Sequence, residues 1–234
     1  MTSSNLVTTS SVFETMLIGD TYKIDENKIK KIIPGVDRKI FIPDSSVEKE
    51  NIILSIGRIQ KQKGQIQTLE FLNNFKKIEK DFKCYFIGGP SGKNGNEYLN
   101  ELKQSVEEFN LNTHVEFLDT LPQTEIIDLF KKAKLMIHTS QFETFGLVAI
   151  EANAMGVPVL TTNNGSLMEI IENNKNGYLS DSLLDGNVNN FVNNLFNDDA
   201  KYEEISSSCI EKSKKYDWVK TSNELESLYK QLVR

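Results

Sequence analysis

The sequence predicts an α/β fold, a Rossmann-like three-layer α/β/α domain built on a mostly parallel sheet. Short β-rich runs alternate with longer stretches of helical periodicity between residues 51 and 179, which is typical of βαβ units. Two of these runs end in glycine, and charged residues follow the first of them, at the edge where open parallel sheets bind ligands. The 234 residues suffice for one large domain of this kind, or for a domain and a fragment.

The predicted strands are short runs rich in apolar residues. They are expected at residues 51–57, 82–88, 115–118, 134–138, 158–161 and 177–179, the last of them at an edge of the sheet. The predicted helices repeat apolar residues at helical spacing, as Ile66, Leu69 and Phe75 do in the first of them. They are expected at residues 64–80, 96–110, 123–132, 146–155, 167–172 and, at the end of a helical C-terminal third, 218–233.

Residues 1–50 do not follow this alternation. Residues 6–10 are expected to form a strand and residues 12–18 the start of a helix, a βα unit without a sheet of its own. A turn at residues 32–37 and an irregular stretch follow. We therefore divide the chain into the remnant of a preceding domain with a linker (1–50), a main α/β domain (51–215) and a C-terminal helical segment (216–234).

The composition argues against several classes of protein. Hydrophobic residues make up 38% and charged residues 26% of the chain, as in ordinary soluble globular proteins. A net charge of −6 disfavours a broad nucleic-acid-binding surface. No apolar run approaches the length of a transmembrane segment, and the N-terminus does not resemble a signal peptide, so a cytoplasmic location is expected. The two cysteines lack metal-ligand spacing, and no disulfide is expected.

The most informative segment covers residues 141–160. Glu143 and Glu151 stand eight positions apart, and between them Phe145 and Gly146 form the start of a predicted helix. Glycine at a helix start allows a ligand close to the backbone, and the positive end of the helix dipole favours an anion. The segment is therefore predicted to bind a phosphate, with carboxylates placed for neighbouring hydroxyl groups. Such a pair of features indicates a nucleotide-linked substrate.

The ends of other predicted strands carry groups suited to the same ligand. Gly57, Arg58 and Lys63 follow the first strand, where the two cations could neutralise a diphosphate. Gly88 ends the second strand and Leu118 the third. Taken singly, the cations could also be solvated loop residues, and the glycine a simple turn. Convergence of four strand ends on one edge favours a functional site.

Two further observations limit the chemistry. His138 ends a predicted strand, where a histidine is more often a core or hydrogen-bonded residue than a catalytic base. The sequence contains no Asp-x-Asp element and no cluster of His, Cys or carboxylate residues with metal-ligand spacing. Neutralisation of a diphosphate would therefore fall to Arg58, Lys63 and the helix start.

Together these motifs resemble the C-terminal, donor-binding half of a retaining GT-B glycosyltransferase. Glycogen synthase and sucrose-phosphate synthase are the nearest in pattern. The resemblance covers about residues 5–234. The matching segments are residues 34–37 with Phe41 and Pro43, residues 57–58 and 63–64, residues 86–90, residues 115–118, the pair Glu143 and Glu151, Gly165 with Glu169, and residues 216–218, which match the crossover helix that ends such enzymes.

The resemblance implies a role for each matching residue. Arg58 and Lys63 would hold the donor diphosphate and stabilise the leaving group, and with Glu143, which would lie near the donor sugar, they are the residues implied in catalysis. Glu151 would bind the ribose of the nucleotide. The remaining implied donor contacts are Gly57, Gly88, Leu118 near the base, and the amides of Phe145, Gly146 and Leu147.

The implied reaction is transfer of a hexosyl-type unit from a nucleoside diphosphate sugar with retention of anomeric configuration, without a metal or other cofactor. In this family an N-terminal domain binds the acceptor, and residues 1–50 would hold only its last βα unit and the linker. Two hypotheses follow. The chain is the donor-binding half of an enzyme whose N-terminal domain comes from another chain or a longer gene product, or it is a non-catalytic nucleotide-sugar-binding module or truncated relic.

Two subsidiary expectations complete the sequence-based prediction. The βα unit at residues 6–18 is expected to leave apolar surface uncovered, so that it packs on a partner domain, mediates self-association or is poorly ordered. A generic Rossmann-like nucleotide binder is a poor alternative, because no G-x-G-x-x-G follows a predicted strand.

Overall fold

The computed structural model describes residues 5–232. Its strands are β1 (Val7–Thr9), β2 (Ile29–Lys31), β3 (Glu50–Ile56), β4 (Lys83–Ile87), β5 (Val115–Leu118), β6 (Ala133–His138), β7 (Val159–Thr162) and β8 (Gly177–Ser180). Its helices are α1 (Val12–Tyr22), α2 (Gln65–Phe75), α3 (Gly95–Glu108), α4 (Gln123–Lys132), α5 (Leu147–Ala154), α6 (Leu167–Ile170), α7 (Gly186–Asn197), α8 (Asp199–Ser213) and α9 (Trp218–Leu232). The alternation from β3 to β8 is the α/β pattern that the sequence predicts.

Strands β3 to β8 form a single parallel sheet in the order β5-β4-β3-β6-β7-β8. From β3 the chain moves outward through β4 to β5, and then it returns across the sheet to β6 and continues to β8. The order therefore reverses between β3 and β6. The helices that follow these two strands, α2 and α5, pack on opposite faces of the sheet, and the carboxyl edge at such a reversal is the crevice where open α/β sheets bind ligands.

The sheet separates two apolar cores, because successive side chains of a strand point to opposite faces. Ile53 of β3 lies in one core with residues of α2, α3 and α7. Its neighbours Ile52 and Leu54 lie in the other core with residues of α4 and α5. The three-layer α/β/α prediction is therefore confirmed. Full burial of an aliphatic side chain of this size contributes about 1.5–3 kcal/mol, so the central strands give the crevice a rigid base.

The N-terminal unit differs from the prediction. Strand β1 pairs in parallel with β2, from Val7 opposite Ile29 to Thr9 opposite Lys31, and the two form a separate two-stranded sheet. The expectation that this βα unit has no sheet of its own is wrong. Strand β2 is three residues long and ends in two lysines, so its sequence shows no alternation of apolar and polar residues. It is a strand only because it pairs with β1.

Some element boundaries also differ from those expected. Helix α2 ends at Phe75, five residues before the predicted end at residue 80. Phe75 is fully buried whereas Ile78 is 54% exposed, because the chain leaves the core after Phe75. Helix α9 ends the described part of the chain at Leu232, so the predicted end at Val233 lies outside the described residues.

The linker is attached to the start of α9. The amide of Val36 donates to the carbonyl of Tyr216 over 3.2 Å, and Thr221 Oγ1 donates to the carbonyl of Ile33 over 2.7 Å. A Cβ on Gly35 would lie 2.2 Å from the carbonyl carbon of Asp217, so only glycine permits this approach. Within residues 5–232, no helix has the length and apolar character needed to cross a membrane.

Candidate functional site

The site lies at the crevice between β3 and β6, where the two loops that follow these strands are bonded to each other. Thr139 Oγ1 donates to the carbonyl of Gly64 over 2.8 Å, and the amide of Gln141 donates to the carbonyl of Gln62 over 2.9 Å. Gly64 has a φ of +67°, and a Cβ there would lie 2.2 Å from the carbonyl oxygen of Thr139. These contacts bring Lys63, at the end of the first loop, to Glu143 in the second.

Glu143 is the centre of the cluster. Its Oε2 lies 2.9 Å from Lys63 Nζ and 3.1 Å from Nε2 of His138, the last residue of β6. The side chains are 22% exposed for Lys63, 15% for Glu143 and 7% for His138. Burial works to raise the pKa of Glu143, but the hydrogen bonds and charges of His138 and Lys63 outweigh it and lower the pKa to about 2. The carboxylate is therefore ionised at neutral pH.

The backbone of Glu143 is held from the loop that follows β7. Its carbonyl oxygen accepts hydrogen bonds from the amide and the hydroxyl of Ser166, each over 3.1 Å. The preceding Gly165 has a φ of +66°, and a Cβ on it would lie 2.4 Å from that same oxygen. Gly165 was identified from the sequence, whereas Ser166 was missed because nothing local marks a serine as a partner of a residue 23 positions away.

Helix α5 begins beside this carboxylate without a side-chain cap. Gly146 precedes it with a φ of +86°, in the left-handed region that favours glycine. Within the described part of the chain, the amides of Phe145, Gly146 and Leu147 donate no hydrogen bond. These amides have no internal acceptor in the described structure and lie at the positive end of the helix dipole, and their binding of an anionic ligand stays a prediction.

Glu151 lies in α5, one turn inside the helix start. Its side chain has no hydrogen-bond partner among residues 5–232, and burial alone raises the pKa of its carboxyl to about 7. An acid without a partner at this depth can accept hydrogen bonds from ligand hydroxyl groups. The two glutamates predicted from the sequence therefore have opposite shifts in pKa.

The remaining predicted residues line the neighbouring strand ends. The amide of Gly57 donates to the carbonyl of Ile87 over 2.9 Å, and the amide of Gly88 donates to the carbonyl of Leu118 over 3.2 Å. A Cβ on Gly57 would meet nothing within 4 Å in the described structure, so this backbone borders open space. Arg58 follows it with an exposed side chain, at the same edge of the sheet but not bonded to Glu143.

The N-terminal unit touches the loop that carries Glu143, which the sequence did not predict. Ser11 Oγ donates to the carbonyl of Thr144 over 2.6 Å. At the start of α1, the amides of Val12 and Phe13 donate to the two carboxylate oxygens of Glu169 over 3.0 and 2.9 Å. The carboxylate therefore stabilises the positive end of that helix. The first residues of α1 therefore contact both the loop that carries Glu143 and helix α6, which carries Glu169.

The reversed sheet order and the site at the reversal point define a doubly wound α/β protein, an architecture in which nucleotides are commonly bound. Residues 37–216 match the model of the family glycosyl transferases group 1, and the chain belongs to that family. It is 28% identical over 229 residues to the D-inositol 3-phosphate glycosyltransferase of Corynebacterium urealyticum, a match that covers 92% of this chain and 54% of the relative. The chain spans about half the length of the curated relatives it matches.

Solved structures share the fold. HepE of Anabaena, crystallised with UDP and glucose, superposes with a TM-score of 0.87 at 22% identity over 97% of this chain and 64% of that one. Sucrose-phosphate synthase of Thermosynechococcus elongatus gives 0.83 at 24% identity over 99% and 59%. The C-terminal domain of a group 1 glycosyl transferase of Francisella tularensis gives 0.68 at 26% identity over 78% and 99%. The predicted fold, the C-terminal half of a GT-B glycosyltransferase, is confirmed.

Proposed function

We propose that this chain is the donor-binding half of a glycosyltransferase that takes a hexosyl-type unit from a nucleoside diphosphate sugar with retention of anomeric configuration. The observation that carries the proposal is the joining of Lys63 and Glu143 across the crevice, beside the uncapped start of α5. A cation and free amides suit a diphosphate, and a fixed carboxylate suits a sugar hydroxyl. Anabaena HepE, whose fold is similar, was crystallised with UDP and glucose.

In this proposal each predicted residue has one task. Arg58 and Lys63 hold the diphosphate and stabilise its negative charge as the bond to the anomeric carbon breaks. Glu143 orients the sugar and Glu151 accepts hydrogen bonds from the ribose. The other proposed donor contacts are Gly57, Gly88, Leu118 beside the base, and the amides of Phe145, Gly146 and Leu147.

Two predictions from the sequence belong to the same proposal. Among residues 5–232, no three His, Cys, Asp or Glu side chains are grouped so that they could hold a metal ion. A reaction without a metal or cofactor, and a cytoplasmic location, stay predictions that rest on the sequence.

We propose an N-terminal acceptor-binding domain as the partner. Apolar side chains are exposed on α1, where Met16 is 65% and Tyr22 57% exposed, and on α9, where Val219 and Tyr229 are both 63% exposed. Exposed apolar surface of this kind is typical of interaction sites. The relatives are about twice as long as this chain, which supports a covering domain rather than self-association.

A second candidate function is a non-catalytic nucleotide-sugar-binding module or truncated relic, favoured by the half-length match to the relatives. Incubation of the chain alone with UDP-glucose tests this second candidate. Release or transfer of glucose would contradict the non-catalytic module. If glucose is released, the anomer that forms first, followed by NMR, tests retention, since the donor is the α-anomer.

The donor-binding proposal is tested by replacing both cations. We expect Arg58→Ala with Lys63→Ala to weaken binding of UDP-glucose at least about 100-fold, because hydrogen bonds to charged groups contribute about 1.5–3 kcal/mol each. The measurement is isothermal titration calorimetry, repeated with GDP-mannose and ADP-glucose. The matched control is Lys61→Ala in the same loop, where the exposed ion pair with Glu101 should matter little. An unchanged affinity in the double variant would refute the assignment of these cations.

A further inference from the structure

We propose that His138 is a positioning residue of the donor site. It holds the Glu143 carboxylate so that Oε1 faces the donor sugar while Lys63 is free to bind the diphosphate. This inference rests on the proposed function, since it assigns a third residue to the task of orienting the sugar.

The first step in the argument is the sharing of one oxygen. Lys63 Nζ and His138 Nε2 both lie within hydrogen-bond distance of Glu143 Oε2, at 2.9 and 3.1 Å. Oε1 has no hydrogen-bond partner in the described part of the chain. Two donors on one oxygen fix the rotation of the carboxylate and leave the other oxygen to accept from a ligand hydroxyl group.

The second step is the difference between the two donors. Lys63 carries an ammonium group with three N–H donors on a flexible stem, at the end of a loop. A bound diphosphate carries more negative charge than a carboxylate, and it draws the ammonium group toward itself. The hydrogen bond from Lys63 to Glu143 Oε2 is therefore weakened when the donor binds.

The third step is the rigidity of His138. It is the last residue of β6, paired in register with Thr161 of β7, and its side chain is 7% exposed. A ring held on a central strand cannot follow the diphosphate. His138 therefore keeps Glu143 Oε2 in place while Lys63 moves, and Ser166 holds the backbone of Glu143 from the opposite side.

The test separates sugar contacts from diphosphate contacts. Calorimetry gives the affinity of each variant for UDP-glucose and for UDP, and their ratio isolates the contribution of the sugar. GDP with GDP-mannose and ADP with ADP-glucose are measured in the same way, and the pair that the wild type binds is used. We expect His138→Phe to reduce the sugar-dependent ratio about tenfold while the affinity for the nucleoside diphosphate alone stays within about twofold.

Two further variants show whether the hydrogen bond itself matters. His138→Gln places an amide nitrogen near the position of Nε2, and it should restore most of the ratio. The side chain of His138→Asn is too short to reach Glu143, so this variant should behave like His138→Phe. It replaces His138→Phe if the protein with the larger ring does not fold. The control is His114→Phe. His114 lies just before β5, at the amino ends of the strands and away from the site, where it is hydrogen-bonded to Thr113 and to the carbonyl of Lys80.

An equal loss of affinity for both members of the pair would show a merely structural role and overturn the proposal. Full retention of the ratio in both His138→Phe and His138→Asn would overturn it as well. If the wild type binds none of the six ligands, the proposed function is refuted, and this inference with it. The failure of the inference and the failure of the proposed function are therefore distinguishable.

Discussion

At the scale of single residues, Glu143 and Glu151 show how position changes the chemistry of one side chain. Burial acts on both carboxyls. Glu143 also has two hydrogen-bond donors, and its pKa falls to about 2, whereas Glu151 has none and its pKa rises to about 7. The first carboxylate is held ionised by the protein, and the second becomes ionised at low energetic cost only when a ligand supplies donors.

The Glu151 shift predicts a pH dependence of stability. The carboxyl has a usual pKa of 4.5 and a pKa of about 7 in the folded chain, so ionising it opposes folding. This loss of folding free energy is absent below pH 4.5 and develops as the pH rises toward 7. Above pH 7 it reaches on the order of 3 kcal/mol. We therefore expect Glu151→Gln to raise the free energy of unfolding relative to the wild type at pH 8 and to have little effect at pH 4, measured by urea denaturation.

The same shift predicts how donor affinity changes with pH. A ribose that donates to the ionised Glu151 favours loss of its proton, so binding of UDP-glucose should strengthen as the pH rises from 5.5 to 7.5 and then level off. UDP-glucose is the suitable probe, because it lacks the terminal phosphate of UDP that titrates in this range. The dependence should be reduced in Glu151→Gln, and an identical profile in both proteins would contradict the role given to Glu151.

At the scale of elements, the start of α5 depends on the backbone of Gly146. Its φ of +86° is unfavourable for any residue with a Cβ, and a Cβ there would lie 2.5 Å from Leu167 Cδ2. The helix start is therefore both the predicted anion site and a corner that only glycine adopts without strain.

We expect Gly146→Ala to reduce the free energy of unfolding by about 1–3 kcal/mol and to weaken UDP-glucose binding as the amides shift. The measurements are urea denaturation and calorimetry. Gly186→Ala is the matched control, because a Cβ on Gly186 meets nothing within 4 Å of it in the described structure. Equal stability of the Gly146 variant and the wild type would mean that this corner is not strained.

At the scale of the whole molecule, the N-terminal unit and the main domain meet beside the loop that carries Glu143. Glu169 accepts from two amides of α1, Ser11 donates to Thr144, and the rings of Phe13 and Phe142 lie 5.6 Å apart edge to face. The contact joins residues more than 120 positions apart in the chain. A covering N-terminal domain that moves with α1 would therefore move against the loop that carries Glu143.

We expect Glu169→Gln to release α1 from this contact, because the charge that favours the helix start is lost. Hydrogen exchange of the α1 amides should become about tenfold faster, which corresponds to about 1.4 kcal/mol in local opening. Glu172→Gln is the matched control, since Glu172 pairs with Lys212 in the described structure and not with α1. Unchanged exchange in the Glu169 variant would show that the carboxylate does not hold the unit.

The sequence alone determined the α/β class, the sheet strands β3 to β8 and the loops that carry the site. Hydrophobic runs and the glycines that end β3 and β4 are local properties, so they can be read from the sequence. The neighbourhood of Lys63 and Glu143 also follows from the sequence, because both lie in loops that follow strands whose carboxyl ends share one edge. The family resemblance then pointed to the C-terminal half of a GT-B glycosyltransferase, and the family match and the solved structures of the same fold bear out that half.

Tertiary structure alone decided the rest. The pairing of β1 with β2, the bond of Lys63 to Glu143, and the contact of Glu169 with α1 each join segments that are distant in the chain. No local pattern encodes them, because a hydrogen bond between residues 80 or 156 positions apart depends on where the folded sheet places them. The shifts in the pKa of Glu143 and Glu151 belong to the same group, since burial and partners set them, and both arise only when the chain is folded.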